Sequence, residues 1–264
     1  MPRGSAPAPV HGFHAKGDPV NAVLGRESLV ESLIDLALEG KTVLLLGPVG
    51  IGKTTVLGEL ARRARESGRP CGVSHRTDAL GDLTRALSTA YSGLALEGRS
   101  QRAIRGGLRL EVERRPGVLV LDGLRGAGSA FKSFLRSLRG TGLGVLIAAD
   151  VEHASDRRRV RTLGLASREW GIPPLPPRHL RRVLESSVCD AALPHALAEE
   201  DRKAILEAAR GRPGWIVMCV ERLQSPRYWD RGRVRRELLS VDVAMAAAGH
   251  SFADVPLTRR QLGG

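Results

Sequence analysis

The stretch Gly47-Pro48-Val49-Gly50-Ile51-Gly52-Lys53-Thr54-Thr55 follows directly on the apolar run Thr42-Val43-Leu44-Leu45-Leu46 and leads into a segment of helical periodicity. A G-x-x-x-x-G-K-[ST] pattern (Walker A) between a buried strand and a helix restricts the chain to an α/β core built around that turn. Its glycines let main-chain N–H groups turn inward around phosphate oxygens, where a side chain would obstruct. Lys53 can reach the β- and γ-phosphates, Thr54 can ligate Mg²⁺, and the helix start near Lys53 favours negative charge. Residues 47–55 therefore form a candidate site for ATP with Mg²⁺.

Alternation continues on both sides of the loop. Ser28 to Leu38 carries apolar residues at helical spacing and is closed by Gly40, and Thr54 to Ser67 reads as an amphipathic helix closed by Gly68. Cys71 to His75 is a short strand, Leu80 to Tyr91 and Gln101 to Arg114 are helices, and Val118-Leu119-Val120-Leu121-Asp122 is an unbroken apolar strand. Ser129 to Leu138 is the next helix and Gly144 to Ala149 the next strand. Strands separated by crossover-length helices predict a doubly wound parallel sheet. The composition changes at Gly171-Ile172-Pro173-Pro174-Leu175-Pro176-Pro177, beyond which everything reads as helical: 178–188, 199–209, 213–223 and 233–248. The expected organisation is a disordered leader over 1–20, a P-loop α/β domain over 21–172, an all-α lid domain over 173–248 and a flexible tail over 249–264.

A length of 264 residues suits one such core with a smaller companion. The formal charge of +13 invites a polyanion, but nearly all of it is arginine, in clusters scattered over several elements rather than in one stripe. Only 3% of residues are aromatic, so stacking on single-stranded bases is a poor fit and contact with duplex phosphates the more natural one. Cys71, Cys189 and Cys219 are odd in number with no metal-ligand spacing, as expected of reduced thiols in the cytoplasm. No segment has the apolar core of a secretory signal or the length of a membrane span.

Asp122 ends an apolar strand downstream of the loop, where a carboxylate beside Thr54 on a neighbouring strand would hold a Mg²⁺-bound water. Leu24-Gly25-Arg26-Glu27 ahead of the loop, the strand-end Asp122, the Pro-Leu-Pro hinge and the late Gly211-Arg212-Pro213 together resemble the AAA+ superfamily, in its origin-recognition-like and STAND-type branches. The resemblance spans about Val20 to Leu223. It implies that Val23, Leu24, Gly25 and Arg26 touch the base and that Pro213 packs over it from the lid.

Two departures stand out. Most such ATPases place a glutamate after the aspartate to activate water, and here that position is Gly123. Origin-type relatives follow Gly-x-Pro with an arginine that reads the γ-phosphate, and here it is Gly214, with Arg212 one place away from the motif's proline. Asp150 and Glu152, at the end of the following strand, are candidates for catalysis and suit a sensing position better. Arg157 and Arg158, in Asp156-Arg157-Arg158-Arg159, are candidates for reaching a neighbour's γ-phosphate in a homo-oligomer or for duplex contact. The resemblance implies a nucleotide-dependent switch acting on a protein partner, with slow or uncertain hydrolysis. The alternative is a DNA-associated helper ATPase that binds duplex when ATP-loaded.

Overall fold

The computed structural model describes residues 23–75, 79–91, 100–124, 127–162, 164 and 168–247. The expected leader and tail lie outside the described residues. The elements run α1 (Glu27–Leu38), β1 (Thr42–Gly47), α2 (Lys53–Glu66), β2 (Cys71–Ser74), α3 (Leu80–Ala90), α4 (Gln101–Arg114) and β3 (Val118–Leu121). They continue with α5 (Ser129–Ser137), β4 (Gly144–Asp150), α6 (Ala154–Thr162), β5 (Arg168–Gly171), α7 (Pro177–Asp190), α8 (Glu199–Ala209) and α9 (Pro213–Leu223). A 3-10 turn (Pro226–Tyr228), β6 (Trp229–Asp230), β7 (Arg233–Val234) and α10 (Arg236–Ala247) complete the described chain.

Strands β2-β3-β4-β1-β5, in that order, form one all-parallel sheet. Its central strands are apolar on both sides because successive side chains face opposite layers. Leu44, Leu46, Leu119, Leu121, Val145 and Ile147 pack with α3, α4 and α5 on one face. Val43, Leu45, Val118, Val120, Leu146 and Ala148 pack with α1 and α2 on the other. The fold is the expected α/β class.

β5 has no counterpart among the strands expected from sequence. Arg-Glu-Trp-Gly is short, lies at the sheet edge and is mostly exposed, so it carries no apolar run to announce it. The strand order also corrects the expected adjacency of β1 and β3, since β4 lies between them. Nor is the chain after Pro177 helical throughout. Trp229–Asp230 pairs antiparallel with Arg233–Val234 across Arg231 and Gly232, both at positive φ (48° and 80°), as a two-residue hairpin turn of the primed type requires. The helical part has its own apolar cluster, with Leu180, Leu184, Ile205, Ile216, Val220, Leu223 and Tyr228 buried. Tyr228 donates to Asp242 Oδ2 at 2.5 Å and Trp229 Nε1 to the Leu223 carbonyl at 2.7 Å, which fastens α10 to the rest. Among the described residues no helix is long and apolar enough to cross a membrane.

One ion-pair cluster links charge to stability. Glu59 is buried on α2 and accepts from Arg62 Nε and Nη2 (both 2.7 Å) and Arg63 Nε (2.8 Å). Those hydrogen bonds, Arg62's first, hold its carboxyl at about 2 against an ordinary 4.5. A depressed folded-state value means that the contribution is complete above pH 4.5 and disappears as pH falls towards 2. Denaturant midpoints of wild type and Glu59→Gln should therefore differ at pH 6 and converge on acidification to pH ~2.5. A gap that stayed constant with pH would contradict this assignment.

Candidate nucleotide-binding site

Because the sheet is parallel, the carboxyl ends of β1, β3 and β4 open on one edge, the position where ligands bind in folds of this kind. Register decides what meets there. Gly47 at the end of β1 lies opposite Asp150 at the end of β4, and the next residue, Val151, donates its N–H to the Gly47 carbonyl at 3.1 Å. The phosphate loop leaves β1 at Gly47 and returns as α2 at Lys53, pinned by the buried Ile51 side chain packed against Gly47.

Lys53 is 7% exposed, and its ammonium donates to the carbonyls of Gly47 (2.7 Å) and Pro48 (2.8 Å) and pairs with Asp150 Oδ1 at 2.7 Å. Thr54 Oγ1 donates to Asp122 Oδ2 at 2.8 Å despite the intervening strand, because the loop carries the start of α2 across the sheet edge. This hydroxyl–carboxylate pair is the donor set that suits Mg²⁺ with its waters. Thr55, next on α2, is exposed. Gly123 has φ of +75°, a conformation that disfavours a glutamate there. His75 Nδ1 stands 3.7 Å from Asp122 Oδ2, a neighbour that its sequence context did not reveal.

The Gly-Arg-Glu box and the start of the helical part close over the loop. Val23 and Arg26 are buried, Leu24 is half-buried, and Glu27 Oε1 accepts from the Gly25 N–H at 3.0 Å. A Cβ on Gly25 would lie 2.8 Å from the His179 ring, one on Gly50 2.8 Å from Trp215 Cδ1, and one on Gly52 2.5 Å from Arg26 Nη1 and 3.6 Å from Pro213 Cγ. Gly214 N–H donates to the Gly50 carbonyl at 2.8 Å. The Arg26 guanidinium thus abuts the phosphate loop itself rather than only a base pocket beside it. Trp215 also covers the loop at Gly50. No sequence pattern marked His179 or Trp215 for this position, since each is set by contact between distant stretches of the chain and not by spacing.

Three buried side-chain nitrogens have no hydrogen-bond partner among the described residues: Arg26 Nε, His179 Nδ1 and Trp215 Nε1. They belong to the three side chains packed on Gly52, Gly25 and Gly50. His179 Nε2 accepts from Arg178 Nε at 3.2 Å, which leaves Nδ1 as the protonated nitrogen, so all three are donors. Leaving such a donor unpaired costs about 1–3 kcal/mol. Burial also pulls the Arg26 guanidinium down to about 10, still charged at neutral pH and without a carboxylate among its hydrogen bonds. Unpaired donors on side chains packed against these glycines suit an acceptor-rich ligand, as nucleoside phosphates are.

No protein-family model matches the sequence, and no curated protein matches it. Solved structures do match the fold. Cdc6p from Pyrobaculum aerophilum superposes with a TM-score of 0.56 at 14% identity, over 78% of this chain and 65% of that one. A STAND protein (signal transduction ATPase with numerous domains) with a tetratricopeptide repeat sensor, from Pyrococcus horikoshii, gives 0.51 at 13% identity, over 84% of this chain and 32% of that one. The chain shares its fold with these structures. This chain spans less than two thirds of the length of either neighbour.

Proposed function

We propose that the chain binds ATP with Mg²⁺ and acts as a nucleotide-dependent switch, its helical part closing on the triphosphate and presenting that state to a partner. The observation that carries this reading is that three side chains, each with an unpaired buried nitrogen, pack on the glycines of the phosphate loop and the Gly-Arg-Glu box: Arg26 on Gly52, Trp215 on Gly50 and His179 on Gly25. Lys53 would hold the β- and γ-phosphates, and residues 47–55 would wrap them with main-chain N–H groups. Thr54 would ligate Mg²⁺, with Asp122 holding one of its waters. Val23, Leu24, Gly25 and Arg26 would touch the base, with Pro213 packing over it. The metal would neutralise phosphate charge and fix the triphosphate's orientation.

Gly123 supplies no carboxylate, and Asp150 and Glu152 are engaged by Lys53 and by Val49 and Arg212. Slow hydrolysis, or none, follows. Calorimetric titration with ATP tests the reading. Affinity should be about tenfold weaker in EDTA than in Mg²⁺, and Asp122→Asn should erase most of that difference. Equal affinity with and without Mg²⁺ in the wild type would remove the metal from the proposal.

Charge supports a second reading, binding of duplex DNA in the ATP-loaded state. Arg157 and Arg158 are exposed on α6, within a chain of formal charge +13. Against it, many arginines are paired along their own helices, as Arg62 with Glu59, Arg109 with Glu113 and Arg114 with Glu111. Light scattering on a size-exclusion column with ADP, ATP, and ATP plus duplex separates a monomeric switch from an assembling DNA helper. Duplex affinity that neither rises with ATP nor falls steeply with salt would dismiss this second reading.

A further inference from the structure

Glu152 lies two residues past the end of β4, beyond the register that brings Asp150 to Gly47. Its Oε1 accepts from the Val49 N–H of the phosphate loop at 2.8 Å. The same carboxylate takes both terminal nitrogens of Arg212, Nη1 on Oε1 and Nη2 on Oε2, each at 3.3 Å. Arg212 is the residue immediately before α9, and its guanidinium also lies 5.9 Å from the Trp215 ring centroid. One carboxylate therefore joins the loop to the helical part. It does so with a planar two-oxygen face that satisfies a main-chain N–H and a guanidinium together, the pair of donors that a terminal phosphate would claim.

Charge at this edge makes the arrangement more than a strut. Lys53 is already matched by Asp150 at 2.7 Å, and Arg212 is matched by Glu152 in the same way. Asp156 faces the segment too, its Oδ2 accepting from the Glu152 N–H at 3.2 Å and the His153 N–H at 3.1 Å. Those bonds fix the backbone from which the Glu152 side chain reaches the loop. With Mg²⁺ the triphosphate still carries net negative charge, and like charges in a confined site repel. Glu152 and a terminal phosphate cannot both occupy the space next to Val49 N–H and Arg212.

We propose that Glu152 is an internal stand-in for the terminal phosphate. It holds Val49 N–H and Arg212 while the site is empty or carries a diphosphate. A triphosphate expels it and transfers Arg212 from carboxylate to phosphate. Glu152 is thereby a specificity-determining residue that sets the preference between diphosphate and triphosphate, and the Arg212 transfer is how the helical part registers the difference. This inference rests on the nucleotide-binding reading above and adds the regulation of that site.

The test is paired titration of ADP and the non-hydrolysable analogue AMP-PNP, both with Mg²⁺, on wild type, Glu152→Gln, Arg212→Gln and Lys53→Ala. Glutamine keeps an oxygen for Val49 N–H and removes the charge. Glu152→Gln should raise AMP-PNP affinity by about five- to tenfold and leave ADP affinity within about twofold. Arg212→Gln should lower AMP-PNP affinity by a similar factor with little change for ADP. Equal shifts for both nucleotides, or none, in Glu152→Gln would overturn the inference while leaving the site intact. A wild type that binds neither nucleotide, or a Lys53→Ala variant that binds as wild type does, would overturn the site reading and this inference with it. A Glu152→Gln variant that lost ATP turnover at an unchanged affinity ratio would instead make this side chain catalytic and reject the stand-in role.

Discussion

Lys53→Ala is expected to weaken Mg-ATP binding by at least about a hundredfold, a loss of about 3 kcal/mol, as for truncation of a charged partner in a partly buried site. The ammonium is 7% exposed and bound by two loop carbonyls and the Asp150 carboxylate, so it is held at the loop without needing to be ordered by the ligand. Removing it takes away a positive charge beside the bridging phosphates and leaves Asp150 as a net negative charge facing them. The fold should be little affected, because the Asp150 side chain is 44% exposed and can be solvated when its partner is gone. Calorimetric titration, with a thermal melt to show that the variant is folded, is the measurement. Binding within a factor of about three of wild type would reject the phosphate site altogether.

The second large effect is on stability and has opposite signs at two glycines. Gly144 starts β4, where a Cβ would lie 2.7 Å from the Ala37 carbonyl carbon of α1 and closer still to its oxygen. The obstacle is backbone inside the layer that buries Val30, Leu33 and Ala37, so no rotamer change can relieve it. Gly144→Ala should cost about 3 kcal/mol or more, since α1 must move off the sheet. Gly58, exposed in the middle of α2, has nothing within 4 Å of the place a methyl group would take, and Gly58→Ala should stabilise by about 0.8–1 kcal/mol through helix propensity alone. Urea denaturation midpoints of the two variants decide it. A Gly144→Ala variant as stable as wild type would mean that α1 does not press on the start of β4.

Much of the fold was legible because each signal was local. The runs 42–46, 118–121 and 144–149 have no polar break, and a two-faced buried sheet needs just such runs. Helix ends were within a residue or two wherever glycine stood just past them, as at Gly40 and Gly68. The elements that escaped were the ones with weak local signals. β5 is held by pairing with β1 at an exposed edge, and the β6–β7 hairpin is only two residues a side. For the site, the loop pattern and Asp122 could be named from sequence, since their chemistry demands those residue types at those places. Glu152 was named only as a sensing candidate and Arg212 only as the middle of Gly211-Arg212-Pro213, and both reach the loop from about 100 or more residues away; Trp215 against Gly50 and His179 against Gly25 sit in no pattern that announces them.

The chain by itself determined that a strand, a glycine turn and a helix would set a lysine and a threonine in a phosphate-loop pattern, because that pattern is complete within nine consecutive residues. It also determined an alternating α/β order, through hydrophobic period alone. Only the folded molecule decided which strand separates β1 from β3, that Arg26 lies against Gly52, and that a carboxylate after β4 ties the loop to α9. Those facts depend on strand order and register and on how the helical part docks on the loop. Such long-range packing is set by the whole core at once, so no window of sequence carries it.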